Sequence, residues 1–374
     1  MARVRERVMG PATRRPRVLL VTPGPLDGRD GTDIALATAV AEVMTEADFV
    51  WFARRPRRSG PSPVVGGRPV PVYSRDGLAH GRQRLQVALR SVPLARGADL
   101  AHVVMTIGPG YPRFSRVWPR LIGGTPVLHT VPGVAEPELL RRARPLGTTV
   151  ALSDVTARQL GGAGFGDVAV VLPMIRLDRW PLVPRPVDGP PTVLVTGHHD
   201  PLGGASDAIR AAAVAVRAGA RMRLLLALRE RPGQDVPALE RGLRERAARE
   251  GLFGTDVLGR VDDVQGLLAA SDVLLFLPRD LGGKADIPLT VLEALATGRP
   301  VILSDLPEFA VLRDAVLRTP PGDAHRAGHL LRQLLDRPWW WQSLAEQGRA
   351  TVRRDFTPER FRARYAALYR RLLS

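Results

Sequence analysis

Gly282-Gly283-Lys284-Ala285-Asp286-Ile287-Pro288-Leu289-Thr290-Val291-Leu292-Glu293-Ala294-Leu295-Ala296-Thr297-Gly298-Arg299-Pro300-Val301-Ile302-Leu303-Ser304 reads as a loop, a helix, a turn and a strand in succession. Glycines open the loop, and Pro288 stands near the first turn, where its missing N–H would be unpaired anyway. The next N–H groups, of Leu289, Thr290 and Val291, point out of the helix start. With the helix dipole they form an anion site suited to a diphosphate. Glu293 lies one turn inside, where a carboxylate can accept two hydrogen bonds from a ribose diol. Lys284 lies just outside and can neutralise charge as a diphosphate leaves. Taken alone, Glu293 also reads as a surface carboxylate paired along its helix, and Lys284 as a solvated loop lysine. Lys284 is nevertheless the only lysine in a chain that otherwise uses arginine.

On both sides of this stretch, short apolar runs alternate with helical segments. The first half has runs at 18–21, 49–52, 100–105, 126–130, 149–152 and 168–172. The second has runs at 192–196, 222–228, 256–258, 273–277 and 301–303, with helices expected at 205–217, 236–250, 264–270 and 289–297. Continuous apolar strands separated by helices imply a parallel sheet covered on both faces. The pattern restarts at Thr192, after the proline-rich residues 181–186 and Gly189-Pro190-Pro191, a composition that makes a stiff, extended linker. A length of 374 residues also suggests two domains at roughly 150 residues each. The expected layout is α/β: a basic arm over 1–16, doubly wound Rossmann-like domains over 17–183 and 191–356, a linker over 184–190, and a closing helix over 357–374. Phe361, Tyr365, Leu368 and Leu372 fall on one face of that helix, which is expected to dock across both domains. Residues 54–94 carry no pattern that assigns them.

The formal net charge is +17. Without a helix-turn-helix, zinc-finger or aromatic RNA-binding signature, it does not make a nucleic-acid-binding protein. The all-arginine bias reads first as a solvated surface. A membrane surface or an anionic substrate is the functional alternative, for which the cluster Arg54-Arg55-Pro56-Arg57-Arg58 is a candidate. There is no cysteine, hence no disulfide framework or thiolate metal site. No apolar run approaches the roughly 18 residues of a spanning helix, and no apolar signal core follows the basic N-terminus. The expectation is a cytoplasmic protein, with peripheral contact at the inner face of the cell membrane left open.

Leu292-Glu293-Ala294-Leu295-Ala296-Thr297-Gly298-Arg299-Pro300-Val301-Ile302 resembles the donor-site signature of the retaining glycosyltransferases of family 4, which have the GT-B fold. Gly259-Arg260-Val261-Asp262-Asp263 and Ser271-Asp272-Val273 resemble the segment before it. Ser153 with its helix, Val171-Leu172-Pro173 and Leu177-Asp178-Arg179-Trp180 resemble the close of the N-terminal domain. Pro126-Val127-Leu128-His129-Thr130 resembles an acceptor-side strand. The resemblance covers nearly the whole chain. It implies two Rossmann-like domains facing a cleft, with the last helix crossing back to the first. It also implies sugar transfer from a nucleotide diphosphate-sugar, with retention, to a carbohydrate, lipid-linked or small-molecule acceptor held by the N-terminal domain. The donor is a co-substrate, and neither a cofactor nor a metal is expected. The Gly-rich loop of the first domain would be Asp27-Gly28-Arg29-Asp30-Gly31-Thr32-Asp33, with Gly28 and Gly31 near the ligand.

Several positions depart from the family pattern. After the first strand of the second domain the family places an arginine and a lysine on the diphosphate. In Thr196-Gly197-His198-His199-Asp200-Pro201-Leu202-Gly203-Gly204, His198 and Gly203 stand there, with Gly197 beside the donor. Pro132 replaces a histidine after the acceptor strand, and Ala285, followed by Asp286, replaces the first glutamate of the donor signature. Losing one charged phosphate contact costs about 2–4 kcal/mol in the transition state, by analogy with oxyanion donors. Lys284, Asp286 and His198 are the expected substitutes, and His129 is the catalytic candidate on the acceptor side. If they do not substitute, the chain is a degenerate relative that binds nucleotide-sugars or serves as a partner subunit.

Overall fold

The structure, a computed structural model, describes residues 14–26, 31–55, 66–74, 81–231 and 233–374. Seven strands build the first sheet: β1 (Arg17–Val21), β2 (Asp48–Arg54), β3 (Arg68–Tyr73), β4 (Leu100–Val104), β5 (Val127–Val131), β6 (Thr148–Ala151) and β7 (Val168–Val170). Six build the second: β8 (Thr192–His198), β9 (Arg223–Arg229), β10 (Thr255–Leu258), β11 (Val273–Phe276), β12 (Val301–Ser304) and β13 (Leu317–Thr319). The orders are β3-β2-β1-β4-β5-β6-β7 and β10-β9-β8-β11-β12-β13. Every pairing is parallel. No helix among the described residues is long and apolar enough to cross a membrane.

The helices of the first half are α1 (Thr32–Val43), α2 (Gly81–Arg96), α3 (Tyr111–Leu121), α4 (Pro137–Leu140) and α5 (Asp154–Leu160). Those of the second are α6 (Ala205–Arg217), α7 (Val236–Arg249), α8 (Val264–Ala269), α9 (Leu289–Ala296), α10 (Ala324–Asp336), α11 (Pro338–Asp355) and α12 (Pro358–Leu373). Each sheet carries a core on both faces, which is why its strands read as unbroken apolar runs. Helices α2 and α3 cover one face of the first sheet; α1 and α12 cover the other.

The crossover helix is fixed by polar contacts as well as packing. Phe361, Tyr365 and Leu368 are buried on the first sheet, as the stripe predicts, together with Tyr369. The Tyr369 hydroxyl lies 2.9 Å from His102 Nδ1. The other ring nitrogen of His102 reaches the Thr130 hydroxyl at 2.9 Å, and that hydroxyl meets Tyr365 at 2.9 Å. Burial lowers the His102 pKa to about 3, so the network is neutral.

Two strands have no counterpart in the sequence pattern. β3 reads Arg-Pro-Val-Pro-Val-Tyr, and its prolines fit an edge position where few N–H groups are needed. β13 has three residues at the opposite edge of the second sheet. The turn motif Gly298-Arg299-Pro300 has an architectural use. Arg299 is buried, and its Nη2 donates to the carbonyls of Val183, Pro184 and Ala269 at 2.8–3.2 Å. Arg185 donates to Asp272 at 2.8 Å and lies over the Trp341 ring. The inter-domain segment is thereby strapped to the second domain.

Candidate functional site

In a doubly wound sheet the ligand crevice opens where the strand order reverses. In the second sheet that point lies between β8 and β11. The loops after both strands are locked together there. Arg279 N donates to the Leu202 carbonyl at 2.9 Å, and its guanidinium makes two bonds, of 2.7 and 3.0 Å, to the buried Asp207 in the first turn of α6. Gly204 adopts a left-handed conformation (φ 89°) before α6, and a Cβ there would overlap the Leu277 carbonyl.

Helix α9 starts at this crevice. Pro288 is extended (φ −64°, ψ 128°) and forms the N-cap, so the first helical residue is Leu289. The Val291 N–H turns back to the Pro288 carbonyl at 3.1 Å, a tightened first turn. Of the three donors expected to be free, Leu289 and Thr290 therefore lack a backbone acceptor among the described residues, and Val291 does not. Glu293 is half-buried one turn in, and no described residue hydrogen-bonds its carboxylate. Burial raises its pKa to about 7, against the opposing charge of Arg229.

The cations that act on His198 come from places the linear sequence does not connect. Register pairs His198 with Arg229. His198 is half-buried, and its Nδ1 has no partner. Burial lowers its pKa to about 4, and the charges of Arg231, Lys284 and Arg229 push the same way, so it is neutral at pH 7. Asp200 accepts from Arg231 at 2.6 Å and pairs with Lys284 Nζ at 3.3 Å. Arg229, Arg231 and Asp200 were not foreseen from sequence. The available signal was the basic tail of the run ending at β9, which acquires meaning only once β9 is known to lie beside β8. Gly197 sits one residue before His198, paired with Leu228.

Two expected site residues are held by other protein groups. His129 is fully buried in β5, with Nε2 3.1 Å from the Met105 carbonyl and Nδ1 3.2 Å from the Tyr111 hydroxyl. Burial lowers its pKa to about 4. It belongs to the core, because its strand turns that side chain inward. Asp286, expected at the sugar hydroxyls, has protein partners for both carboxylate oxygens, which accept from Ser153 at 2.7 Å and Thr156 at 3.0 Å across the domain boundary. Burial pushes its pKa up to about 7, with these bonds opposing. The Asp286 N–H adds a bond of 2.9 Å to the Pro132 carbonyl. Gly28 lies outside the described residues, as do positions 56–58 of the arginine cluster.

On the first domain, Gly31 (φ 93°) caps α1. Asp33, in the first turn, accepts from the Thr106 hydroxyl at 2.8 Å, and burial pushes its pKa up to about 6. Further along, a cavity of about 970 Å³ is lined by Ser153, Glu308 and Phe361 among others, with Glu293 outside its walls. The Glu293 cluster is thus not part of that cavity. Among the described residues, no three His, Cys, Asp or Glu side chains gather as they would around a metal ion.

Residues 190–337 match the family model described as "Glycosyl transferases group 1". That span contains His198, Asp200, Arg229, Arg231, Lys284 and Glu293. Among solved structures, the chain is similar to HepE of Anabaena, solved in complex with UDP-glucose, at 14% identity over 95% of this chain and 99% of that one (TM-score 0.74). It is similar to a sucrose-phosphate synthase of Thermosynechococcus elongatus at 19% identity, covering 96% and 99% (TM-score 0.73). An α,α-trehalose 6-phosphate synthase of Burkholderia multivorans matches at 17% identity, covering 94% and 97% (TM-score 0.68). No curated protein sequence matches the chain. The shared fold is the GT-B arrangement of two Rossmann-like domains, as the sequence implied.

Proposed function

We propose that this chain is a glycosyltransferase that moves a sugar from a nucleotide diphosphate-sugar to an acceptor, with retention at the anomeric carbon and without a metal. The observation that carries the reading is Glu293, a half-buried carboxylate with no hydrogen-bond partner among the described residues, on the helix whose Leu289 and Thr290 N–H groups have no described backbone acceptor. Its geometry suits a ribose diol. The diphosphate would take the Leu289 and Thr290 N–H groups, with Val291 packing beneath. HepE, solved with UDP-glucose and with UDP, supports a ligand of this class. In the transfer, the bond from the anomeric carbon to the diphosphate oxygen breaks, the acceptor oxygen bonds on the same face, and the acceptor's hydroxyl proton passes to the leaving phosphate oxygen. The leaving diphosphate gains charge, which Lys284, Arg229 and Arg231 lie close enough to offset. His198, neutral, donates or accepts a hydrogen bond there. Asp33 and Gly31 belong to the acceptor side, where a carbohydrate, lipid-linked or small-molecule acceptor would sit.

The second reading is a degenerate nucleotide-sugar binder or partner subunit. Neutral His198 and Gly203 favour it; Arg231 and Lys284 at Asp200, with Arg229 acting on Glu293, favour catalysis. A panel of UDP-, GDP- and TDP-sugars separates the two. Thermal stabilisation with nucleotide release and product marks an enzyme, whereas stabilisation with no sugar ever hydrolysed or transferred marks the binder. If Glu293→Ala leaves nucleotide affinity unchanged, the donor site lies elsewhere.

A further inference from the structure

Helices α2 and α3 lie side by side on one face of the first sheet. The Trp118 indole donates to the Ser91 hydroxyl at 2.7 Å, and Arg96 Nε donates to the Leu121 carbonyl at 2.8 Å. Their inner sides, with Val87 and Ala95 on α2 and Tyr111 and Trp118 on α3, share one core. Their outer sides are not simply polar. Leu85 and Leu89, one turn apart on α2, are 60% and 61% exposed. Val117 and Leu121, one turn apart on α3, are 56% and 41% exposed. Each of the two adjacent helices thus turns a pair of large apolar side chains, one turn apart, to its outer side.

The charge on the same helices has one sign. Together they contain seven arginines and no acidic residue. None of these arginines forms an ion pair with a described carboxylate. By contrast α7 interleaves its arginines with Glu240 and Glu245 and pairs them along the helix. Arg113, Arg116 and Arg120 follow the same outward stripe of α3 as Val117 and Leu121. Both helices start at the edge of the sheet that faces the cleft, and the charge of Arg84, in the first turn of α2, acts on Asp33.

We propose that the outer face of α2 and α3 docks on an anionic lipid bilayer, the leucines and valine entering the interface and the arginines meeting lipid phosphates. A basic helix face with aliphatic side chains has this complementarity. A nucleic-acid site would instead call for exposed aromatic side chains among the arginines, and Leu85 and Leu89 would contribute nothing to it. Docked this way, the cleft mouth at Arg84 and Asp33 faces the membrane surface. The proposal does not depend on the transfer reaction, because binding is read without turnover.

Co-sedimentation of the full chain with vesicles tests it. Mixed phosphatidylglycerol–phosphatidylcholine vesicles bind the protein, and pure phosphatidylcholine vesicles bind it far less. The triple change R113Q/R116Q/R120Q lowers partitioning by about 100-fold, at about fivefold per arginine. L85S/L89S lowers it by about tenfold or more. Phe253→Ser, at a still more exposed apolar position on the second domain, leaves it unchanged. All three variants keep the parent melting temperature, since the altered side chains are exposed. Equal binding to both vesicle types overturns the proposal, and so does parent-like binding by either α2 or α3 variant. Loss of duplex DNA binding in the arginine variant with L85S/L89S vesicle binding intact assigns the face to nucleic acid instead.

Discussion

Glu293 and Asp286 are two carboxyls of one loop-helix segment, and their surroundings give them opposite tasks. Asp286 has both oxygens taken; Glu293 has neither. Glu293 is the one left to meet a ligand, and its pKa of about 7 makes that binding pH-dependent. The ionised form is the better acceptor, so nucleotide affinity rises between pH 6 and pH 8 and binding releases protons. Calorimetry in buffers of different ionisation enthalpy measures both effects. Glu293→Gln weakens nucleotide binding by about 1.5–3 kcal/mol and flattens this pH dependence. Both carboxyls were legible as candidates, because each stands near a helix start. Which one is free was not legible, since Ser153 and Thr156 lie more than a hundred positions away. His129 illustrates the same limit: in a strand buried on both faces, no alternation separates a core side chain from one at the cleft.

At the scale of elements, the decisive joint is between the donor loop and the N-terminal end of α5. Ser153 caps that helix through the Thr156 N–H while donating to Asp286. A folded-state pKa above the unfolded one means that Asp286 contributes its full stability below about pH 4 and loses it as pH rises through about 7. Asp286→Asn keeps a partner for both hydroxyls without the ionisation. Relative to the parent, it gains about 2 kcal/mol between pH 5 and pH 8, read from denaturant unfolding at each pH. Gly133→Ala acts on the same joint from the other side, because a Cβ there would overlap the Lys284 carbonyl. It should separate the two loops and lower turnover more than nucleotide affinity, which steady-state kinetics and direct binding distinguish. The long apolar strands and amphipathic helices were visible in the sequence. β3 and β13 were not, because edge strands are short or proline-bearing and lack the buried faces that make a strand readable.

For the whole molecule, α12 matters more than its terminal position suggests. It covers one face of the first sheet and supplies two hydroxyls to the His102–Thr130 network. Truncation before Thr357 uncovers that face, and the expected result is loss of soluble, cooperatively unfolding protein, seen in yield and calorimetry. Tyr369→Phe is milder: it leaves a buried histidine nitrogen without its partner and lowers stability by about 1–3 kcal/mol. The strap formed by Arg299 is of the same kind, since a motif residue that looks functional in the sequence holds the segment between the domains.

The sequence alone determined two parallel sheets and a helix start, at a proline, with an acidic residue one turn inside. Those features depend on neighbours within a few residues: apolar runs, a proline near a helix start, a restart after a proline-rich segment. The tertiary structure decided which side chains share the crevice. Arg229 and Arg231 join His198 because β9 packs beside β8, Lys284 meets Asp200 because β11 lies on the other side of β8, and Asp286 leaves the site because α5 comes within reach of it. Strand order and domain approach set those neighbours, and neither is written in the spacing of residues along the chain.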